Sequence, residues 1–157
     1  MNHYRFRSEW SVDVPPTVAY AILEEVAHYP EWWHQVKRMT KIDDRRFEFI
    51  ARSFLPYDIR CIAEQSTRDP QERILEVVLS GDLTGFSRFT IAPDGGGSRL
   101  LHEQEVTLNK PLLNMLAPLA KAGFRANHTV MMRAGQAGLR RYAAGYQLAQ
   151  RHHGEGA

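Results

Sequence analysis

Six strand-like segments follow one another between residues 36 and 108, with only short polar loops between them. They read VKRMTKID, RRFEFIARSF, YDIRCIAEQST, RILEVVLSGDL, TGFSRFTIAP and SRLLHEQEVTL. Loops such as RDPQE and PDGGGS suit hairpins but are too short for the helical crossover that parallel neighbours require. The sequence therefore predicts an antiparallel meander.

The segments on either side of this meander complete the order of elements. YRFRSEWSVDV alternates, with Tyr4, Phe6, Trp10 and Val12 on one parity, which predicts a strand with one buried face. PPTVAYAILEEV has helical spacing after two prolines suited to a first turn, and HYPEWWHQ is broken by Pro30 and forms at most one more turn. The helical period returns over about residues 111–146. The predicted order is one strand, two short helices, six strands and one long helix.

The long helix has one side that differs in character from the other. At about 100° per residue, one side carries Leu113, Ala117, Ala120, Phe124, Asn127, His128, Met131, Gly135, Gly138, Leu139 and Tyr142. The other side carries Arg125, Thr129, Arg133, Gln136 and Arg140. The first side must cover the sheet, with Pro118 in the first turn or at a bend. Its mixture of small and polar residues predicts a pocket opposite Asn127 and Met131.

Length and composition limit the class of protein. The chain has 157 residues, enough for one domain at 1–150, and we expect a disordered tail at 151–157. No apolar run is long enough to span a bilayer and no signal peptide precedes the first strand, so we expect a cytoplasmic protein without integral membrane association. The formal charge of +2 disfavours nucleic acid as a partner, and either a monomer or a homodimer is expected.

Motifs for cofactors and metals are missing from the sequence. PDGGGS lies between two strands and is not followed by Lys-Ser/Thr, so it does not read as a phosphate loop. No HExxH or repeated His/Cys spacing indicates a metal site, and the single cysteine, Cys61, reads as an inert core residue. We therefore expect no cofactor and no metal.

Several stretches together resemble one known family. They are WSVDVPPTVAYAILEEVAHYPEWW, LPY, GDLTG, the segment NKPLLNMLAPLA after a strand ending in Val, and F.ANH..MM..G..GL. They are similar to the polyketide cyclase/dehydrase and lipid-transport family of the START-like (SRPBCC) superfamily, over about residues 4–146. The resemblance implies an α+β helix-grip fold, in which a seven-stranded curved antiparallel sheet wraps a long C-terminal helix around a deep hydrophobic cavity.

Two segments depart from the family pattern, one in a strand and one in the long helix. His102 and Gln104 stand where the family usually has aromatic residues, and Ala126 stands where Trp is common. By alternation, the inward side of this strand carries Leu100, His102, Gln104, Val106 and Leu108. Polar side chains on a buried face need hydrogen-bond partners, which a ligand, a water molecule or each other would supply.

These observations give the candidate site residues. The ligand-binding candidates are Trp32, Trp33, Phe124, Asn127, His128, Met131 and Gly135, and Gly135→Leu should block binding. The catalytic candidates are His102 as an acid and base titrating near pH 6.5, with Gln104 and Tyr57 orienting carbonyl groups together with Asn127. Each has a structural alternative: His102 as a hydrogen-bonded core residue, Asn127 and His128 as braces of the helix, and the tryptophans as a wall of the fold.

The predicted function is binding of a hydrophobic or aromatic small molecule of polyketide or lipid type between sheet and helix. Polyketide cyclisation or aromatisation, a lyase-type dehydration, is a further possibility. The alternatives are a non-catalytic lipid carrier and a stress-response interaction module, which the arginine-rich face of the last helix favours.

Overall fold

The computed structural model describes residues 3–52, 58–108 and 117–155, with side chains of the last helix described over 122–149. The elements are, in chain order, β1 (His3–Val12), α1 (Pro16–Glu24), a 3₁₀ turn (Val26–His28), α2 (Tyr29–Trp32), β2 (Val36–Lys41), β3 (Arg46–Ala51), β4 (Ile59–Asp69), β5 (Ile74–Gly81), β6 (Leu83–Asp94), β7 (Gly97–Leu108) and α3 (Ala117–Glu155). This order confirms the predicted helix-grip fold.

The strands form one antiparallel sheet in the order β1-β7-β6-β5-β4-β3-β2. Consecutive strands from β2 to β7 are antiparallel neighbours, and the first strand pairs with the last, with Tyr4 opposite Val106. The β6–β7 turn is built on two glycines, and Gly95 has φ +61°, a left-handed conformation that glycine adopts without steric cost. The predicted hairpin at PDGGGS is therefore confirmed.

Alternation along the strands decides which side chains face α3. On β7, Leu100, His102, Val106 and Leu108 are buried, and the residues between them are partly buried. On β1, Trp10 has the parity predicted to be buried and is 2% exposed. The inward parity predicted for both strands is confirmed.

The helix α3 covers this inner face with the predicted side. Its buried residues include Phe124, Asn127, His128 and Leu139 from the predicted side, and Met132, which was not predicted there, whereas the arginine-rich side is exposed. Pro118 is the second residue of the helix, and Leu113 lies outside the described residues. The helix continues to Glu155 rather than ending near 146, so residues 151–155, expected in a disordered tail, are helical. Residues 143–151, AAGYQLAQR, have high helix propensity apart from one glycine and contain no proline, which favours continuation of the helix past residue 146.

The middle of α3 is tied to the first strand and to the turn after α2. Gln136 Oε1 accepts a hydrogen bond from the Ser11 backbone N–H at 2.9 Å, and Arg140 Nε donates to the Ser11 carbonyl at 2.8 Å. Trp33 Nε1 donates to the Met131 carbonyl at 2.9 Å. In the described ranges no helix combines the length and apolar content needed to cross a membrane.

Gly138 lies where α3 approaches α2 most closely. A Cβ atom at this position would meet the Trp32 carbonyl oxygen, which is backbone and cannot rotate away. Gly145, seven residues along the same helix, has open space where its Cβ would lie.

Gly138→Ala should therefore lower the free energy of unfolding by about 1–3 kcal/mol through overpacking, whereas Gly145→Ala should raise it by about 0.5–1 kcal/mol through helix propensity. Urea denaturation of both variants measures the difference. Equal stabilities for the two variants would contradict the close packing of α3 on α2.

Candidate functional site

A cavity of about 150 Å³ lies between α3 and the inner face of the sheet. Most of its lining is apolar: Leu23, Val26, Tyr29, Trp33, Val36, Met39, Phe49, Ala51, Ile59, Ala63, Leu75, Val77, Leu79, Leu83, Phe89, Phe124, Met131 and Met132. The polar lining consists of Gln65, Thr67, Glu76, Ser87, His102, Gln104, Asn127 and His128. The cavity thus has an apolar body with polar groups at particular places on its wall.

The structure brings most of the predicted site residues together around this cavity. Trp33, His102, Gln104, Phe124, Asn127, His128 and Met131 all line it. Trp33 lies in the turn after α2, His102 and Gln104 lie on β7, and the other four lie on α3 between residues 124 and 131. Tyr57 lies outside the described residues.

Trp32 and Gly135 are not part of this lining. Trp32 stacks on Trp33 and contacts Trp10 edge-on. A Cβ atom on Gly135 would lie 2.6 Å from Trp33 Cε2 and 2.8 Å from Trp10 Cη2. Gly135 is therefore a packing residue behind the cavity wall. A leucine at this position would displace Trp10 and Trp33. Loss of binding in Gly135→Leu, which the sequence led us to expect, would therefore not show that the ligand contacts this position.

His102 projects from β7 and is 3% exposed. Its Nε2 and the Ser87 Oγ share a hydrogen bond of 2.8 Å, while its Nδ1 is buried without a partner in the described part of the chain. An unpaired buried N–H is rarer than an unpaired acceptor. The tautomer with Nε2–H donating to Ser87 is therefore favoured, and it leaves the Ser87 hydroxyl proton for another acceptor.

His128 projects from α3 toward the same wall. Its ring stacks on Phe6 with centroids 3.7 Å apart, and Nε2 donates to Gln104 Oε1 at 3.0 Å. In this arrangement the amide nitrogen of Gln104 keeps its two donors. The hydrogen bond joins α3 to β7.

Both imidazoles are neutral at neutral pH. Burial, with a smaller contribution from the charge of His128, lowers the pKa of His102 to about 3. Burial also lowers the pKa of His128 to about 4. The expectation that His102 titrates near pH 6.5 is therefore wrong, because that value belongs to a solvated imidazole.

Sequence reasoning missed four polar residues of the wall: Gln65, Thr67, Glu76 and Ser87. Ser87 lies on β6 with the same parity as the buried Phe89, and Gln65 lies on β4 with the same parity as the buried Cys61 and Ala63. The alternation of each strand was a usable signal for both. Over the described ranges, no group of three or more His, Cys, Asp or Glu side chains is arranged to hold a metal ion.

The two histidines should make stability depend on pH. An unfolded histidine titrates near pH 6.5, so between pH 6.5 and about 4 the unfolded chain binds more protons than the folded one. The free energy of unfolding should therefore fall as the pH is lowered from 7 to 4.5, by an amount on the order of 2 kcal/mol for each histidine.

Urea denaturation at pH 7 and at pH 4.5 measures this fall in the free energy of unfolding. His102→Phe should make the fall smaller. His34→Phe, at an exposed position, leaves both buried imidazoles in place and should keep it. The same fall in the parent and in His102→Phe would show that His102 is not held neutral by the fold.

Comparison with known proteins agrees with this architecture. The Zhui aromatase/cyclase from Streptomyces sp. R1128 superposes with a TM-score of 0.75 at 10% identity, covering 90% of this chain and 94% of that one. A protein from Thermus thermophilus gives 0.71 at 15% identity, covering 87% and 97%. A START superfamily protein from Mycobacterium smegmatis gives 0.68 at 14% identity, covering 89% and 98%. At these identities the likeness shows the fold.

A search of curated proteins finds no match to this chain. The model of one family does match, over residues 3–144, which is nearly the whole chain. The elements it spans, from β1 to the last third of α3, are those that enclose the cavity. The chain therefore belongs to the family described as polyketide cyclase/dehydrase and lipid transport.

Proposed function

We propose that the protein binds a compact hydrophobic or aromatic small molecule in the cavity between the sheet and α3. The observation that carries this proposal is the cavity itself, whose wall is mostly apolar but holds hydrogen-bonding side chains from β4, β6, β7 and α3. A mostly apolar pocket with a few convergent polar groups is the usual form of a small-molecule site.

The volume indicates the size of the ligand. A dry apolar cavity of about 150 Å³ in another protein accepts benzene, and typical drug-sized pockets are at least about twice as large. One ring or two fused rings therefore suit this conformation. Burying roughly 200 Å² of apolar ligand surface contributes about 5 kcal/mol before the costs of association, which supports weak to micromolar affinity.

Filling the cavity should abolish binding. Ala63 is buried on β4 and lines the cavity, whereas Ala92 is exposed on β6. Ala63→Leu should weaken binding of 2-naphthol at least about tenfold, because three added carbon atoms occupy ligand space, and Ala92→Leu should leave it unchanged.

Calorimetric titration measures both affinities, and a thermal melt of each variant confirms that it is folded. Equal affinities for the two folded variants would place the ligand elsewhere. Native mass spectrometry of protein from its own host would then identify any ligand that copurifies.

Cyclisation of a polyketide is a second candidate, favoured by His102 and Ser87 lying together in the cavity wall. Ring closure and dehydration need a proton removed beside one carbonyl and a proton delivered to a departing hydroxyl. His102 would transfer the proton, with Gln104, Asn127 and Tyr57 orienting carbonyl oxygens. The low pKa of His102 makes it a weak base in the empty cavity, so a developing enolate beside it must stabilise the imidazolium.

This candidate predicts the kinetics of two variants. His102→Ala and His102→Phe should each lower turnover of a short poly-β-ketone by about 10²-fold or more while ligand affinity changes little. Product formation followed by liquid chromatography measures the rate. Turnover equal to that of the parent in both variants would leave ligand binding as the function.

A further inference from the structure

Three polar side chains of the cavity wall lie in one row across the sheet. Gln65 on β4 pairs with Val77 on β5, Val77 pairs with Ser87 on β6, and Ser87 pairs with Gln104 on β7. All four residues line the cavity, so they project from the same face. The row places the Gln65 amide at one end, the apolar Val77 next to it, and two hydrogen-bonded polar residues, Ser87 and Gln104, at the other end.

Gln65 is the isolated end of this row. The residue is only 9% exposed, and its side chain has no hydrogen bond, ion pair or ring contact within the described ranges. Gln65 lines the cavity, so its side chain borders that space. The nearby Glu76 carboxylate already accepts hydrogen bonds from Arg88 and Ser66.

The other end of the row is organised by the two histidines. His102 fixes the Ser87 hydroxyl at 2.8 Å, and His128 fixes the Gln104 amide at 3.0 Å. Each contact uses one hydrogen-bonding position of the serine or glutamine. The Ser87 hydroxyl proton and the Gln104 amide protons then remain for a third partner.

The two ends are separated by a distance that the sheet sets. Neighbouring strands lie about 4.8 Å apart, so the backbones of Gln65 and Ser87 are about 10 Å apart, with Val77 between them. Gln65 lines the cavity at one end of this span, and Ser87 and Gln104 line it at the other. A buried amide facing an apolar space costs on the order of 1–3 kcal/mol unless something pairs with it.

We propose that the ligand of this cavity carries two oxygen functions, hydroxyl or carbonyl, at opposite ends of an apolar body. One oxygen bonds to the Gln65 amide and the other to Ser87 and Gln104, while the body contacts Val77 and the aromatic wall. This proposal rests on the ligand-binding function proposed above and narrows its ligand class to compact molecules with oxygens at both ends.

Three probes of one shape test it: naphthalene, 2-naphthol and 2,6-dihydroxynaphthalene, with no, one and two oxygens. The parent protein should bind the diol about tenfold more tightly than 2-naphthol, because one additional buried hydrogen bond is satisfied. Gln65→Leu should remove this preference while keeping the affinity for naphthalene. Gln71→Leu, the same change at an exposed turn position, should retain the preference.

The outcomes distinguish failure of the two-ended ligand from failure of the ligand-binding function on which it rests. If the parent binds naphthalene but does not prefer the diol, or if Gln65→Leu keeps the preference, the two-ended ligand is overturned and ligand binding stands. If the parent binds none of the three probes, the proposed function fails and this inference fails with it. If Gln65→Leu loses the preference for the diol and Gln71→Leu retains it, the two-ended ligand is supported.

Discussion

The close approach of α3 to the tryptophan cluster sets how far the helix stands from the sheet. Gly135 lies against Trp10 and Trp33, and Gly138 lies against the backbone of Trp32, so this half of the helix has no space to spare. Toward its N-terminal half, α3 meets the sheet through the longer side chains Phe124 and His128. The cavity lies where α3 contacts the sheet through the rings of Phe124 and His128, and not where it packs through Gly135 and Gly138.

Within that space, hydrogen bonds arrange the polar side chains before any ligand arrives. Ser87 is oriented by His102 and Gln104 by His128, so each of these two polar groups is supported by a buried imidazole. Neutral histidines suit this task, because a charged imidazolium in an apolar wall would be costly to bury. The same burial that makes the histidines good supports lowers their pKa and weakens them as bases.

Local pattern predicted much of this architecture. Alternation placed His102 and Gln104 on the inner face, and helical spacing placed Asn127 and His128 on the side of the helix that covers the sheet. Periodicity gives the face of a residue but not its position along the interface, which is why Gly135 and Trp32 were expected beside a ligand and instead pack among the tryptophans. The alignment of Gln65 with Ser87 depends on pairing across three strands, with a register shift between Gln65 and Thr67, and no single segment contains that information.

The two hydrogen bonds from α3 to Ser11 also matter outside the cavity. β1 is an edge strand, and an unpaired edge offers its backbone groups to a strand of any neighbouring chain. At Ser11 both backbone groups are already occupied, the N–H by Gln136 and the carbonyl by Arg140. The helix that encloses the cavity thus also protects the edge of the sheet, since a foreign strand would have to displace two side chains to pair with it at this point.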